Sequence, residues 1–353
     1  MIFITYGNDA RKNTYDILAA SDIGEYLHAK DKVAIKPNLV TARPASDGAT
    51  THPEVVEGII LFLRDFGVKS ISVMESSAVG GNTNTAYKNC GYDELSRKYD
   101  VPLIDLKAGK HTTLEYKGQK LGIFDEALKT DFLINAPVLK AHSQTRLTCC
   151  MKNLKGCIPD SEKRRYHTLG IHKPVAALNA LLKTGYNVVD GICGDLSFEE
   201  GGSPVESGRI IAGRDPLLVD SYCAELIGYN PGEIGYLSLG REWGLGEYYS
   251  DRTEVVELNR ENKPVFQPRG SRTADRYRNL IHEDSACSVC HASLIYALHR
   301  LGGKTSAADK ICIGQGFRGK SGGGIGVGNC TGGFAKCVPG CPPKSTDIIE
   351  ALR

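Results

Sequence analysis

The sequence predicts an α/β protein: a mainly parallel sheet flanked by helices, followed by a smaller cysteine- and glycine-rich C-terminal module. Three observations carry this. From Met1 to about Asn259, short apolar runs alternate with segments of helical spacing, as in a parallel sheet covered on both faces. Polar residues recur where the runs end. Six of the chain's 12 cysteines fall within its last 67 residues, counting Cys312.

The elements follow in order. Met1–Tyr6 is a short apolar run, and Asp31–Lys36 reads as a strand ending at Pro37 and Asn38. His52 and Pro53 start a helix with Val56, Ile59, Ile60, Leu63 and Phe66 at helical spacing and Gly67 as its stop. Lys69–Met74 is the next strand, ending in Glu75, Ser76 and Ser77. Val101–Leu106 and Asp131–Pro137 add two more. Pro174–Leu182 reads as a helix leading to the strand Asn187–Asp190, and Arg209–Gly213 as a further strand. Asp215 and Pro216 cap a helix that stops at Gly228. A composition shift around Pro264, Pro268 and Gly270 divides the chain into residues 1–262 and 263–353.

Composition narrows the class. Apolar content of 41%, charged content of 24% and a net charge of +2 describe an ordinary globular chain. No basic run with interleaved aromatics points to nucleic acid. Apolar runs such as Gly58–Leu63 are too short to span a bilayer. With no apolar leader in its opening residues, a chain this rich in cysteine is expected in the reducing cytoplasm rather than as a disulfide scaffold.

The C-terminal cysteines suggest an inorganic centre. Cys287 and Cys290 form a C-x-x-C pair, Cys330 sits in a glycine-rich turn, and Cys341 is followed by two prolines. The C-x-x-C-H run also matches covalent haem attachment, but that needs export and leaves Cys330 and Cys341 unexplained. Zinc usually takes two tight pairs, whereas here one pair is followed by dispersed single cysteines. A 4Fe–4S cubane tolerates dispersed cysteines, often with proline after the last, and fits best. Zinc and unliganded thiols stay open. Between these cysteines, Gly314–Ser321 satisfies the phosphate-loop pattern. The glycines after Ser321 oppose the helix such a loop must open, so the nucleotide reading is set aside.

The C-x-x-C pair, the glycine-flanked Cys330 and the final V-P-G-C-P-P run resemble the proximal-cluster site of nickel–iron hydrogenase small subunits. They are similar also to the cluster-bearing small subunit of respiratory NADH dehydrogenase. That resemblance implies Cys287, Cys290, Cys330 and Cys341 as cluster ligands and reaches the short helix ending at Leu352. Cys337 departs from it and reads as an inert thiol rather than an alternative ligand or redox partner. Cys149 and Cys150 could replace the C-x-x-C pair at a cluster edge, but on a helix with apolar neighbours they read as packing residues. Cys90, Cys193 and Cys223 read as ordinary core.

In parallel sheets the ligand crevice lies beyond the carboxyl ends of the strands. Lys36, Asn38, Glu75, Asn135, Lys140, His142 and Asp190 all fall there. Ser143 suits a helix cap and Gly156 a stop, which places Lys152 and Asn153 in a last helical turn. Lys163, Arg164, Arg165, His167, His172 and Lys173 load the following loop with positive charge, favouring a small anionic ligand. Asp190 to Asp195, with Glu199 and Glu200, reads as an acidic, flexible counterpart.

Lys36-Pro37-Asn38, Asn135 to Pro137 with Lys140 and His142, Lys152 to Gly156, Asp190-Gly191, and Arg214-Asp215-Pro216 with Asp220 resemble the family named domain of unknown function 362. Its members are frequently joined to iron–sulfur modules, which agrees with the tail, although the usual fused ferredoxin run is missing here. The combined expectation is a redox protein whose cluster exchanges electrons with a small anionic ligand or an electron-transfer protein. Lys36, His142, Lys152 and His167 would position the ligand, and Asp190 would handle protons. An open iron site acting as a Lewis acid in a lyase or isomerase, and a purely structural cluster, are the alternatives.

Overall fold

A computed structural model describes residues 1–198, 201–268 and 272–353. It has 16 strands among these residues. In chain order they are β1 (Ile2–Tyr6), β2 (Lys32–Pro37), β3 (Ser70–Glu75), β4 (Leu103–Asp105), β5 (His111–Tyr116), β6 (Gln119–Phe124), β7 (Phe132–Ala136), β8 (Lys140–His142), β9 (Arg146–Thr148) and β10 (Tyr186–Asp195). There follow β11 (Pro204–Gly213), β12 (Val255–Glu257), β13 (Ile281–Glu283), β14 (Ile311–Ile313), β15 (Ser321–Val327) and β16 (Gly333–Val338).

Eight of them form one sheet in the order β12-β1-β11-β10-β7-β2-β3-β4. Strand β11 runs antiparallel to both neighbours and every other pairing is parallel. Alternation along each strand sends side chains to two cores, one per face. On β2, Val33 and Ile35 enter the core shared with helices Ala10–Ala20 and Pro53–Asp65, while Ala34 enters the core shared with His172–Leu181 and Pro216–Leu226. The helix starts are set as the sequence anticipates. Pro53 occupies the first turn of its helix, and the Asp215 carboxylate accepts from the Leu217 and Leu218 N–H groups.

Residues 281–338 build a second sheet, β13-β14-β15-β16, parallel throughout. It packs against the helices Ser288–Arg300 and Ser345–Leu352 around a third core of Leu294, Leu298, Ile311, Ile313, Ile348 and Leu352. The mixed α/β class with a mainly parallel sheet is therefore as anticipated.

Three local expectations are corrected. No helix runs from Ser143 to Gly156: β8 and β9 form an antiparallel hairpin there, followed by one helical turn at Cys150–Asn153 and a tight turn at Leu154–Cys157. The basic stretch is not one solvated loop, because Asp160–Thr168 and His172–Leu181 are helices and Lys163 is buried. The segment from Asp190 to Asp195 is buried strand, while Glu199 and Glu200 lie outside the described residues. As anticipated, Gly314–Ser321 opens no helix; it leads into β15.

Candidate functional site

The polar residues at the strand ends are interior. Lys36, Lys140, His142, Lys152 and Asp190 are each at most 5% exposed. Lys36 Nζ pairs with the Glu75 carboxylate and donates to Pro37 O at 2.7 Å. Burial pushes the Glu75 carboxyl up from its ordinary range, and Lys36 and then Lys163 oppose that. Lys163 Nζ donates to Ser76 O, Ser76 Oγ and Ser77 O at 2.7–2.9 Å, and burial brings it down to about 8. Gly156 backs directly onto this pair: a Cβ there would meet Glu75 Oε1 at 2.2 Å and Lys36 Nζ at 2.6 Å.

Beside the pair runs a chain of side-chain amides. Asn153 Nδ2 donates to Asn135 Oδ1 at 2.8 Å, and Asn135 Nδ2 donates to Asn187 Oδ1 at 3.0 Å. Asn187 in turn donates to Arg214 O at 2.9 Å. These amides satisfy backbone carbonyls where the sheet gives way to loops. Lys140 Nζ donates to Ala49 O at 2.9 Å, and Lys152 Nζ to Thr148 Oγ1 at 3.2 Å. His142 Nδ1 accepts from the Gln144 and Thr145 N–H groups at 3.1 Å.

Asp190 meets a residue the sequence had not marked for chemistry. Its Oδ2 lies 2.8 Å from His52 Nδ1 and accepts the His52 backbone N–H at 2.7 Å. Burial alone would depress the imidazole, but the Asp190 carboxylate overrides it and holds His52 at about 11. The Asp190 carboxylate beside its ring thus favours the protonated form of His52.

The C-terminal cysteines lie on three segments. Cys287 caps the helix Ser288–Arg300 and Cys290 lies in its first turn. Burial raises the Cys287 thiol, and Cys330 and Cys341 add to the effect. Cys290 is pushed up to about 12 by burial, then by Cys287, Cys341 and Cys330. All four thiols thus share one electrostatic neighbourhood. Gln315 Nε2 donates to Cys287 Sγ at 3.6 Å and Arg318 Nε to Cys330 Sγ at 3.4 Å. Gly314 makes the docking possible, since a Cβ on it would meet Asp284 O at 1.9 Å. Cys337 instead lies 3.7 Å from both Gly328 O and Thr331 Oγ1. Cys312 faces His282 and Lys310 O.

Cys149 and Cys150 lie in the main core, where Cys149 Sγ is 3.9 Å from Cys150 Sγ. One ligand atom each from Cys149, Cys150 and Asp220 all fall within 4.8 Å of one another. Cys223 belongs to the same core. Cys223 had read as ordinary core, and its spacing from the pair gives no sequence signal.

The model of the family described as domain of unknown function (DUF362) matches residues 33–225, which hold the amide chain, both buried ion pairs and this thiol group. The chain belongs to the DUF362 family. It is 27% identical over 250 residues to the thylakoid-associated protein sll1697 of Synechocystis sp., covering 68% of this chain and 76% of that one. Among solved structures it resembles the lactate racemase apoprotein from Thermoanaerobacterium thermosaccharolyticum at 9% identity and a TM-score of 0.46, and a Thermotoga maritima protein at 12% and 0.41. The likenesses cover 64% and 67% of this chain, which spans 56% and 60% of those two. Neither bears on chemistry.

The DUF362 region meets the cysteine-bearing segment at Gln144, in the turn between β8 and β9. Its Nε2 donates to Ala286 O at 2.9 Å, and its Oε1 accepts from Ser288 Oγ at 2.9 Å. Ser288 Oγ also lies 3.5 Å from His167 Nε2. A cleft of about 230 Å³ opens beside this seam, lined by Gln144, Thr145, Arg146, His172, Glu233 and Arg278. Arg146 holds a left-handed backbone (φ +67°) and pairs with Glu233 and Asp275. No helix among the described residues is long and apolar enough to cross a membrane.

Proposed function

We propose that this DUF362 protein is a cytoplasmic iron–sulfur protein in which Cys287, Cys290, Cys330 and Cys341 hold one 4Fe–4S cluster. Its role is redox: single electrons pass between that centre and a small anionic ligand or a partner protein at the seam with the α/β region. The contacts of Gln315 and Arg318, three residues apart, with Cys287 Sγ and Cys330 Sγ, together with the Asn329–Gly340 pairing that ties the Cys330 turn to the Cys341 turn, support this reading. The donor set fits the group. Four cysteines suit a cubane, and hydrogen bonds to the sulfurs from Gln315 and Arg318 are of the kind that tune its potential. When bound, the cluster supplies one-electron transfer.

The protein's own groups do the rest. Arg318 and Lys155 favour negative sulfur at Cys287, which lowers the cost of a reduced centre. Gln144, Ser288 and His167 tie the cysteine-bearing helix to the DUF362 region. Two guanidinium groups, Arg146 and Arg278, line the seam cleft against one carboxylate, Glu233, which supports an anionic occupant. The exposed side chains Arg318, Lys320, Lys336 and Lys344 flank Cys330 and Cys341 in sequence and favour an acidic electron partner.

A structural cluster is the second reading. It is favoured by the internal engagement of Lys36, His142, Lys152 and Asp190, which leaves no open crevice at those residues. Anaerobic purification, iron and acid-labile sulfide analysis, and electron paramagnetic resonance of the reduced protein test the proposal. Absence of iron and sulfide from anaerobically prepared protein would end it. A cluster that cannot be reduced reversibly would leave only the structural role.

A further inference from the structure

We infer that Cys149, Cys150, Asp220 and Cys223 form a second, fully buried metal site that takes zinc. The distances match. A tetrahedral zinc with bonds of about 2.3 Å to sulfur needs ligand sulfurs roughly 3.8 Å apart. Cys149 Sγ and Cys150 Sγ are 3.9 Å apart, and an Asp220 oxygen lies within 4.8 Å of both. Cys223 lies in the same core but outside this mutual spacing, and a bound ion would draw it in as the fourth donor.

The electrostatics ask for a cation. All four residues are completely buried. Thiols and a carboxylate taken out of water need a counter-charge to ionise together, and a divalent ion supplies it by replacing lost hydration. Asp220 is already aimed: its two oxygens accept the Cys150 N–H at 2.6 Å and the Met151 N–H at 3.0 Å. Each carboxylate oxygen keeps a lone pair for a metal, and such outer contacts orient metal-binding carboxylates. Three thiolates select a soft or borderline ion, and the carboxylate favours zinc over cuprous copper. With no exposed ligand the site is closed, the hallmark of a structural ion taken up during folding.

The site is independent of the C-terminal cysteines, so the two centres separate experimentally. Protein purified anaerobically from zinc-supplemented medium is expected to carry about one zinc per chain besides any iron. Cys341→Ala should lower iron and leave zinc, whereas Cys223→Ser should lose zinc and keep iron. Native protein should resist chelators and release zinc only in denaturant. Zinc-edge X-ray absorption of the unsubstituted protein, which needs no variant to fold, should find about three sulfurs near 2.3 Å and one oxygen near 2.0–2.2 Å. Zinc-free protein, zinc retained in Cys223→Ser, or an all-sulfur shell lost with Cys341→Ala would each overturn the assignment and leave these thiols as packing.

Discussion

Asn329 and Gly340 hold each other by reciprocal hydrogen bonds: the Asn329 N–H donates to Gly340 O at 3.0 Å, and the Gly340 N–H donates to Asn329 Oδ1 at 2.6 Å. Each immediately precedes a cysteine, Cys330 and Cys341. The clamp therefore sets the spacing of two thiols brought together from separate turns. Gly340 adopts φ +134°, and a Cβ on it would meet Pro343 Cα at 2.4 Å. We expect Gly340→Ala to abolish iron retention in anaerobic protein. Asn329→Ala, which removes one hydrogen bond worth about 1 kcal/mol, should only weaken it. Iron-to-protein ratios after gel filtration check both.

Arg318 hydrogen-bonds Cys330 and carries positive charge beside the thiol group. Losing that charge disfavours an added electron. For the proposed cluster, Arg318→Leu should make the midpoint potential more negative by tens of millivolts, where about 59 mV corresponds to a tenfold change for one electron. Potentiometric titration followed by electron paramagnetic resonance reads the shift.

The buried Lys36–Glu75 pair predicts a strong asymmetry between single and double replacements. Glu75→Gln leaves the buried Lys36 charge without its counter-ion, at a cost of about 3–5 kcal/mol. Lys36→Met with Glu75→Leu should cost well under the sum of the single changes. Gly156→Ala, whose Cβ would collide with both side chains, should destabilise without altering charge. Urea unfolding of these three variants, and of Lys36→Met and Glu75→Leu singly, measures the asymmetry.

The His52–Asp190 pair predicts pH dependence. His52 is raised from 6.5 to about 11, so the folded protein holds a proton that the unfolded chain releases above about 6.5. Its contribution is complete below pH 6.5 and is lost as pH climbs towards about 11. Stability should therefore fall on the alkaline side, and His52→Gln should be less stable at neutral pH with a flatter alkaline slope. Thermal unfolding between pH 6 and 10 gives the comparison.

Much of the large sheet is legible because its signals are local. Pro53 at a helix start, Asp215 as a cap and the apolar runs at 32–37, 70–75 and 132–136 each act over a few residues. The hairpin at 140–148 is not. Ser143 and Gly156 carry the residue types of a helix start and stop. What decides the matter is remote: the Asp220 carboxylate caps Cys150 from 70 residues away, and Gln144 is held by Ala286 and Ser288.

The candidate sites divide in the same way. Cysteine spacing with glycine and proline marks Cys287, Cys290, Cys330 and Cys341 because backbone must pass close to their sulfurs. Lys163 looked like solvated charge, since sequence does not tell that Ser76 and Ser77 surround it. Cys223 lies in the core as read, and a buried thiol that packs and one that could meet a metal read alike in sequence.

Strand β1 lies between β11 and β12, partners that begin only at Pro204 and Val255. During synthesis Ile2–Tyr6 emerges early and waits, uncharged and strongly strand-forming, for neighbours not yet made. Such a segment is a natural holding point for chaperones and a seed for off-pathway association. Yield in the cell should then depend on how quickly the ribosome reaches residue 257.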